Sequence, residues 1–186
     1  MLELFKENEI YKNKFITVEE ALSKVNSGDV IVTGLASAEP KLLVKNLHTI
    51  ADRVKDVIVT TCLPMEMGEY FINPKYRESF KMDGWFYTAA MRKAKDNGTV
   101  SFIPNHLHLA AVKRLKHKPV NIYMGTSSLP DKHGYVSLSL SNVYEKESIE
   151  AADIVIIECN KKCPRTFGDV EIHVNDVDYI IEVDYD

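Results

Sequence analysis

The chain has 186 residues, 45% of them apolar and 27% charged, with a formal net charge of −4. That length suits one domain with an ordinary core, and the composition excludes a disordered segment. No apolar run approaches the ~20 residues of a membrane span, and the scattered lysines and arginines exclude a nucleic-acid surface.

The N-terminus, M-L-E-L-F-K-E-N-E, is acidic and lacks the apolar centre of a signal peptide. The first helix is marked by a capping box: Thr17 can accept from the backbone of Glu20, and Glu20 can reach back. Val18, Ala21, Leu22 and Val25 follow at helical spacing, and Asn26-Ser27-Gly28 stops the helix. Asp29 to Gly34 reads as a buried strand. Pro40 suits the first turn of a second helix, whose Leu43, Leu47, Ile50 and Val54 form one stripe. Val57 to Thr61 is a second strand of the same kind, and Met65 to Met82 is irregular, an excursion from the sheet.

Further strands are expected at Gly84 to Thr88, Thr99 to Pro104, Val120 to Gly125, Asp153 to Cys159 and Val177 to Val183. Helices are expected at Ala89 to Asp96, Asn105 to Lys116 and Asn142 to Ala152, the last capped by Ser141 with Asn142 and Glu145. The basic cluster Lys113, Arg114, Lys116 and Lys118 reads as a solvated helix face. Strands such as V-I-V and I-V-I-I lack strict alternation, so both faces of their sheet are covered. Strand–helix alternation therefore predicts an α/β domain with a mainly parallel sheet of roughly six or seven strands and helices on both faces. Gly134 to Ser141 alternates with period two and reads as a half-exposed strand or hairpin arm. No helix follows the last strand to cover it, which is the pattern of a chain cut at a domain boundary.

Ligands of such sheets bind beyond the carboxyl ends of the strands. The loop Gly34 to Pro40 (G-L-A-S-A-E-P) combines a glycine, the small Ala36 and a helix start, which permits close approach to free backbone N–H groups. It also reads as an ordinary tight turn. Glu39 either complements the helix dipole or lines a pocket. Pro104, His106 and His108 open another helix; if helical, the two imidazoles lie about 200° apart and cannot share an ion. Asp131, Gly134 and Tyr135 belong to a turn-rich segment. Cys62, Cys159 and Cys163 are too few for a disulfide framework and suit a reducing cytoplasm. Cys159, Cys163 and His173 do not make a metal-ligand set, so no metal is expected. No G-x-S-x-G elbow or Ser/His/Asp arrangement is present.

Two segments carry more than composition does. N-K-K-C-P-R-T-F-G-D-V-E-I-H (Asn160 to His173) follows an apolar strand, and S-S-L-P-D-K-H-G-Y-V-S-L-S-L-S-N (Ser127 to Asn142) precedes it. Together they resemble the N-terminal domain of the acetyl-CoA hydrolase/transferase family, which includes 4-hydroxybutyrate and butyryl-CoA:acetate CoA-transferases. The resemblance runs from the Tyr11 region to Val183. It implies a CoA-transferase-like fold (NagB/RpiA/CoA-transferase type), residues 1–186 as its N-terminal domain, and a second, C-terminal domain that this chain lacks. It also implies that Gly34 to Pro40 walls the active site, that Ser127 to Tyr135 faces an interdomain cleft, and that His108 stands where a serine is usual.

The implied reaction moves CoA between short-chain acids such as acetate, butyrate or 4-hydroxybutyrate, with coenzyme A as substrate and no separate cofactor. A glutamate attacks the acyl-CoA thioester, giving an acyl-glutamyl anhydride and then a glutamyl-CoA thioester. That glutamate lies beyond Asp186, so no catalytic residue is expected here. The resemblance allows a homo-oligomer, and it implies no nucleic-acid or membrane partner. Rival readings are an acetyl-CoA hydrolase, a sugar-phosphate isomerase of related fold, and a non-catalytic α/β interaction domain.

Overall fold

A computed structural model describes residues 2–186. Nine strands are β1 (Val30–Thr33), β2 (Val57–Thr61), β3 (Phe80–Gly84), β4 (Val100–Phe102), β5 (Val120–Ser127), β6 (Tyr135–Ser137), β7 (Ala152–Asn160), β8 (Glu171–His173) and β9 (Tyr179–Val183). The helices are α1 (Leu2–Glu7), α2 (Val18–Leu22), α3 (Lys41–Asn46), α4 (Glu69–Ile72), α5 (Ala89–Ala94), α6 (Ala110–Leu115) and α7 (Glu145–Ala151). Seven strands form one sheet in the order β4-β3-β2-β1-β5-β7-β9, every neighbouring pair parallel. The predicted α/β fold with a parallel sheet is the one observed. No helix among the described residues is long and apolar enough to cross a membrane.

Successive side chains on a strand point to opposite faces, so each strand feeds two cores. Ile31, Val59, Met82, Ile122 and Ile156 pack with Leu22, Leu43, Leu47 and Met91 on one face. Val32, Tyr123, Val155 and Ile157 pack with Ala110, Ala111 and Ile149 on the other. That double burial explains why the strand sequences do not alternate. The capping box of α2 forms in full, with Thr17 accepting from the Glu20 N–H and the Glu20 carboxylate accepting from the Thr17 N–H. The helical stripe after Pro40 is also observed, although α3 tightens into a 3-10 turn at Leu47–Ile50.

Four expectations require correction. The strand expected at Gly84 to Thr88 instead ends at Gly84, because Phe80 and Met82 are buried and alternate with exposed Lys81. The helix expected from Asn105 begins only at Ala110, after a 3-10 turn at Leu107–Leu109. α7 begins at Glu145, and Ser141 does not cap it; its hydroxyl meets that of Ser37 at 2.9 Å. Arg114 is not on a solvated face: it is 7% exposed and donates to Thr60 Oγ1 at 3.0 Å. Its long stem reaches inward while Lys113 and Lys116 stay in solvent.

The period-two segment forms β6, antiparallel to β8 in a small second sheet. Val136 and Ile172 pack inward from it, and Arg165 clamps it by donating to Glu171 and to the Tyr135 carbonyl.

Candidate active-site cleft at the carboxyl edge of the sheet

An all-parallel sheet delivers every strand's carboxyl end to one edge. There the segments that follow β1, β2, β6, β7 and β9 enclose a cleft of about 500 Å³. Ala36, Ser37 and Lys41 form one wall, Met65 and Glu66 a second, and Leu140, Lys162, Cys163 and Pro164 the opposite side. Thr126, Asn160 and Tyr185 also line it.

The wall after β1 folds back tightly. A Cβ on Gly34 would lie 2.3 Å from the Ala38 carbonyl oxygen, so only glycine fits without moving the backbone. Ala36 adopts φ 47°, a left-handed conformation that costs a non-glycine residue about 1–3 kcal/mol. Strain of this kind persists only where surrounding contacts hold the chain, and three buried glutamates supply them.

Glu145, fully buried, accepts from the Leu35 N–H at 2.8 Å with one oxygen. Its other oxygen accepts from the Val143 and Tyr144 N–H groups at 2.6 and 2.9 Å. Glu39, 3% exposed, accepts from the Met65 and Glu66 N–H groups at 3.0 and 2.8 Å, tying the loop after β1 to the loop after β2. Burial pushes its carboxyl up to about 7, against the two N–H groups, which favour the anion. Glu158, fully buried on β7, accepts from the Leu42 and Leu43 N–H groups at 3.3 and 2.7 Å, and from the Tyr185 hydroxyl. Burial pushes it up to about 7 as well, against the same kind of donors. Those N–H groups belong to the first turn of α3 and have no partner within the helix.

The ten candidate residues separate in space. Ala36 lines the cleft, and Gly34, Glu39 and Pro40 build the loop that carries it. The Glu39 carboxylate is engaged with the neighbouring loop's backbone rather than with the dipole of α3. Pro104, His106 and His108 follow β4, three strands from β1, and are exposed, with the two imidazoles 5.7 Å apart. Asp131 accepts from the His133 and Tyr135 N–H groups at 2.8 and 2.9 Å, closing a turn. Gly134, at φ 89°, leaves room for His173, whose Nε2 would be 2.6 Å from any Cβ there. Tyr135 stacks edge-on against His173 and lines a separate hollow with Glu150 and Asp153, which lie by the amino end of β7. The structure thus divides the candidates among three places.

Lys41, Thr126, Glu158 and Tyr185 were not singled out by sequence. Glu158 carried a signal, a lone carboxylate inside the apolar run I-V-I-I-E-C. Cys159, beside it on the opposite face, points its thiol at the Ser128 carbonyl, 3.1 Å away, and burial pushes that thiol up to about 12. A buried thiol of that kind is a small core residue rather than a nucleophile.

An open parallel sheet with a loop-built, largely apolar cleft at its carboxyl edge is the arrangement in which α/β domains of this class hold ligands. The particular family follows from residues 2–185, which match the acetyl-CoA hydrolase/transferase N-terminal domain; the chain belongs to that family. It is 35% identical over 178 residues to the 4-hydroxybutyrate coenzyme A transferase of Clostridium kluyveri, covering 95% of this chain and 41% of that protein. It is 31% identical over 174 residues to the succinyl-CoA:cyclohexane-1-carboxylate CoA transferase of Geobacter metallireducens, covering 94% and 39%. The crystal structure of RipA from Yersinia pestis superposes with a TM-score of 0.87 at 29% identity, covering 95% of this chain and 43% of that one. The chain therefore spans about two-fifths of the length of these relatives.

Proposed function

We propose that this chain supplies the N-terminal domain of an acyl-CoA:carboxylate CoA-transferase acting on short-chain acids such as acetate, butyrate or 4-hydroxybutyrate. The observation that carries the reading is the cleft itself, considered with the family to which the chain belongs. Its walls pair a cationic group, Lys41, with the apolar surfaces of Met65, Leu140 and Pro164. A carboxylate with a short aliphatic tail needs that combination, a cation for its head and apolar surface for its tail. The three buried glutamates hold the walls in place before any ligand arrives, which lowers the cost of binding.

In this reading the covalent steps use a glutamate outside residues 1–186, through glutamyl-CoA, and the chain contributes one side of the small-acid site. Glu39 is a support of the wall rather than the nucleophile, because both its oxygens face the interior and one holds two backbone N–H groups. The experiment follows acyl exchange between butyryl-CoA and labelled acetate. Residues 1–186 alone should show no turnover, while a protein that continues through the second domain should. Sustained exchange by residues 1–186, abolished by Glu39→Gln, would place the nucleophile in this domain and overturn the assignment. Inactivity of both proteins would overturn the transferase reading.

A further inference from the structure

Glu158 is a fully buried carboxylate with no ammonium or guanidinium within 4 Å among the described residues. Burying an unpaired charge is costly, so its surroundings bear on what it does. Its one contact that leads towards solvent is the Tyr185 hydroxyl, which it accepts. Tyr185 lines the cleft, and its hydroxyl also lies 3.4 Å from Thr126 Oγ1 and 3.4 Å from the Lys41 N–H. The ring is fixed: Asn160 donates to the Tyr185 carbonyl at 2.9 Å, and the Lys41 ammonium sits 5.1 Å from the ring centroid. The Lys41 ammonium also donates to the Asp186 main-chain oxygen, and no side-chain carboxylate lies within 4 Å of it among the described residues, whereas Lys45 pairs with Glu66 and Lys162 pairs with Asp184 and Asp186.

We infer that Glu158 and Tyr185 form a proton-coupled relay at the floor of the cleft, through which Tyr185 binds the carboxylate of the small-acid substrate. The inference rests on the transferase reading for the identity of that ligand. In the empty cleft the Tyr185 O–H donates to the Glu158 carboxylate. A ligand carboxylate beside Lys41 competes for the same hydroxyl proton. When Tyr185 turns its O–H to the ligand, its oxygen would be left facing the Glu158 anion, two acceptors in contact. Glu158 relieves this by taking one proton from solvent and donating it to the Tyr185 oxygen. One anion and one proton enter together, and no other bond changes. Glu158 is a positioning residue here; Tyr185 touches the ligand.

The ionisable groups facing Glu158 are Tyr185, after β9, and Lys41, at the start of α3. Glu66, Lys162, Cys163 and Asp186 stand around the cleft, and Glu39 lies in the loop after β1. Because burial sets Glu158 to about 7, it is ionised at pH 8 and protonated at pH 5.5, so the coupling is visible only at the higher pH.

The test is calorimetric titration of the protein with sodium acetate and sodium butyrate in two buffers of different ionisation enthalpy. The expected result is uptake of about one proton per carboxylate bound at pH 8, near zero at pH 5.5, with Kd rising about tenfold from pH 7.5 to 8.5. Tyr185→Phe should abolish the uptake while circular dichroism stays unchanged. Glu150→Gln, at an exposed glutamate outside the cleft, should leave the uptake intact, which separates the relay from a general effect of removing a carboxylate. Glu158→Gln supplies a second check, since an amide cannot take up the proton. Uptake that persists in Tyr185→Phe or Glu158→Gln overturns the relay, as does carboxylate binding without uptake, or no binding at millimolar carboxylate. CoA exchange is scored separately, in the protein that continues through the second domain: exchange there without proton uptake sinks the relay and spares the transferase reading, and uptake without exchange there does the reverse.

Discussion

Glu145→Ala should be among the most destabilising single substitutions in the chain. The side chain is fully buried and accepts from three backbone N–H groups, those of Leu35, Val143 and Tyr144. Val143 is exposed, and its N–H can turn to water; Tyr144 is buried and Leu35 is half-buried. Leaving a buried donor without a partner costs about 1–3 kcal/mol, so two such donors give about 4 kcal/mol. For a chain of this length that corresponds to a fall in Tm of roughly 8–16 °C. Glu150→Ala, on the exposed side of the same helix, should change stability by less than about 0.5 kcal/mol. Urea unfolding followed by circular dichroism measures both. A loss under about 1 kcal/mol for Glu145→Ala would mean that the loops after β1 and before α7 are held by packing, and that the carboxylate is not their brace.

Two further outcomes are expected. Glu39 and Glu158 both sit near 7 in the folded chain against 4.5 for the free group, so the folded state holds more protons than the unfolded state between those values. Their contribution to stability is present below pH 4.5 and is lost as pH rises through 7, on the order of 3 kcal/mol each. Urea midpoints from pH 5 to 8 should therefore decline less steeply for the Glu39→Gln, Glu158→Gln pair than for the parent, and equal slopes would contradict the cause given. Gly34→Ala places a methyl 2.3 Å from the Ala38 carbonyl oxygen and must shift the strained turn at Ala36. It should cost about 1–3 kcal/mol, read from the urea midpoint, and an unchanged midpoint would show the turn to be freely adjustable.

Local chemistry was sufficient for much of the fold. Thr17 and Glu20 mark a helix start that needs no distant partner, since a capping box is closed by residues three apart. Runs such as Asp153 to Cys159 declare a strand buried on both faces, and their alternation with helices leads to a parallel sheet. Where an element depended on distant packing, the reading slipped: Phe80 and Met82 become a strand by pairing with Val57 to Thr61 on one side and, at Met82, with Val100 on the other. Arg114 looked solvated because its neighbours are basic, yet Thr60, 54 positions away, draws it inward.

The same division applies to the cleft. That Gly34 to Pro40 could border a cleft was suggested by a glycine, small side chains and a helix start in one loop, together with the family resemblance, and Ala36 and Ser37 do line one. That Pro104 to His108 and Asp131 to Tyr135 stand elsewhere was decided by strand order and by the antiparallel pairing of β6 with β8. Neither is expressed in local sequence. Glu158 shows the limit most clearly. Its burial was visible in the run I-V-I-I-E-C, but Leu43 and Tyr185, 115 and 27 positions away, are brought to its oxygens only by tertiary packing. Hydrogen bonds to a buried carboxylate act over about 3 Å, whereas the chain separation between their partners is set by the whole sheet.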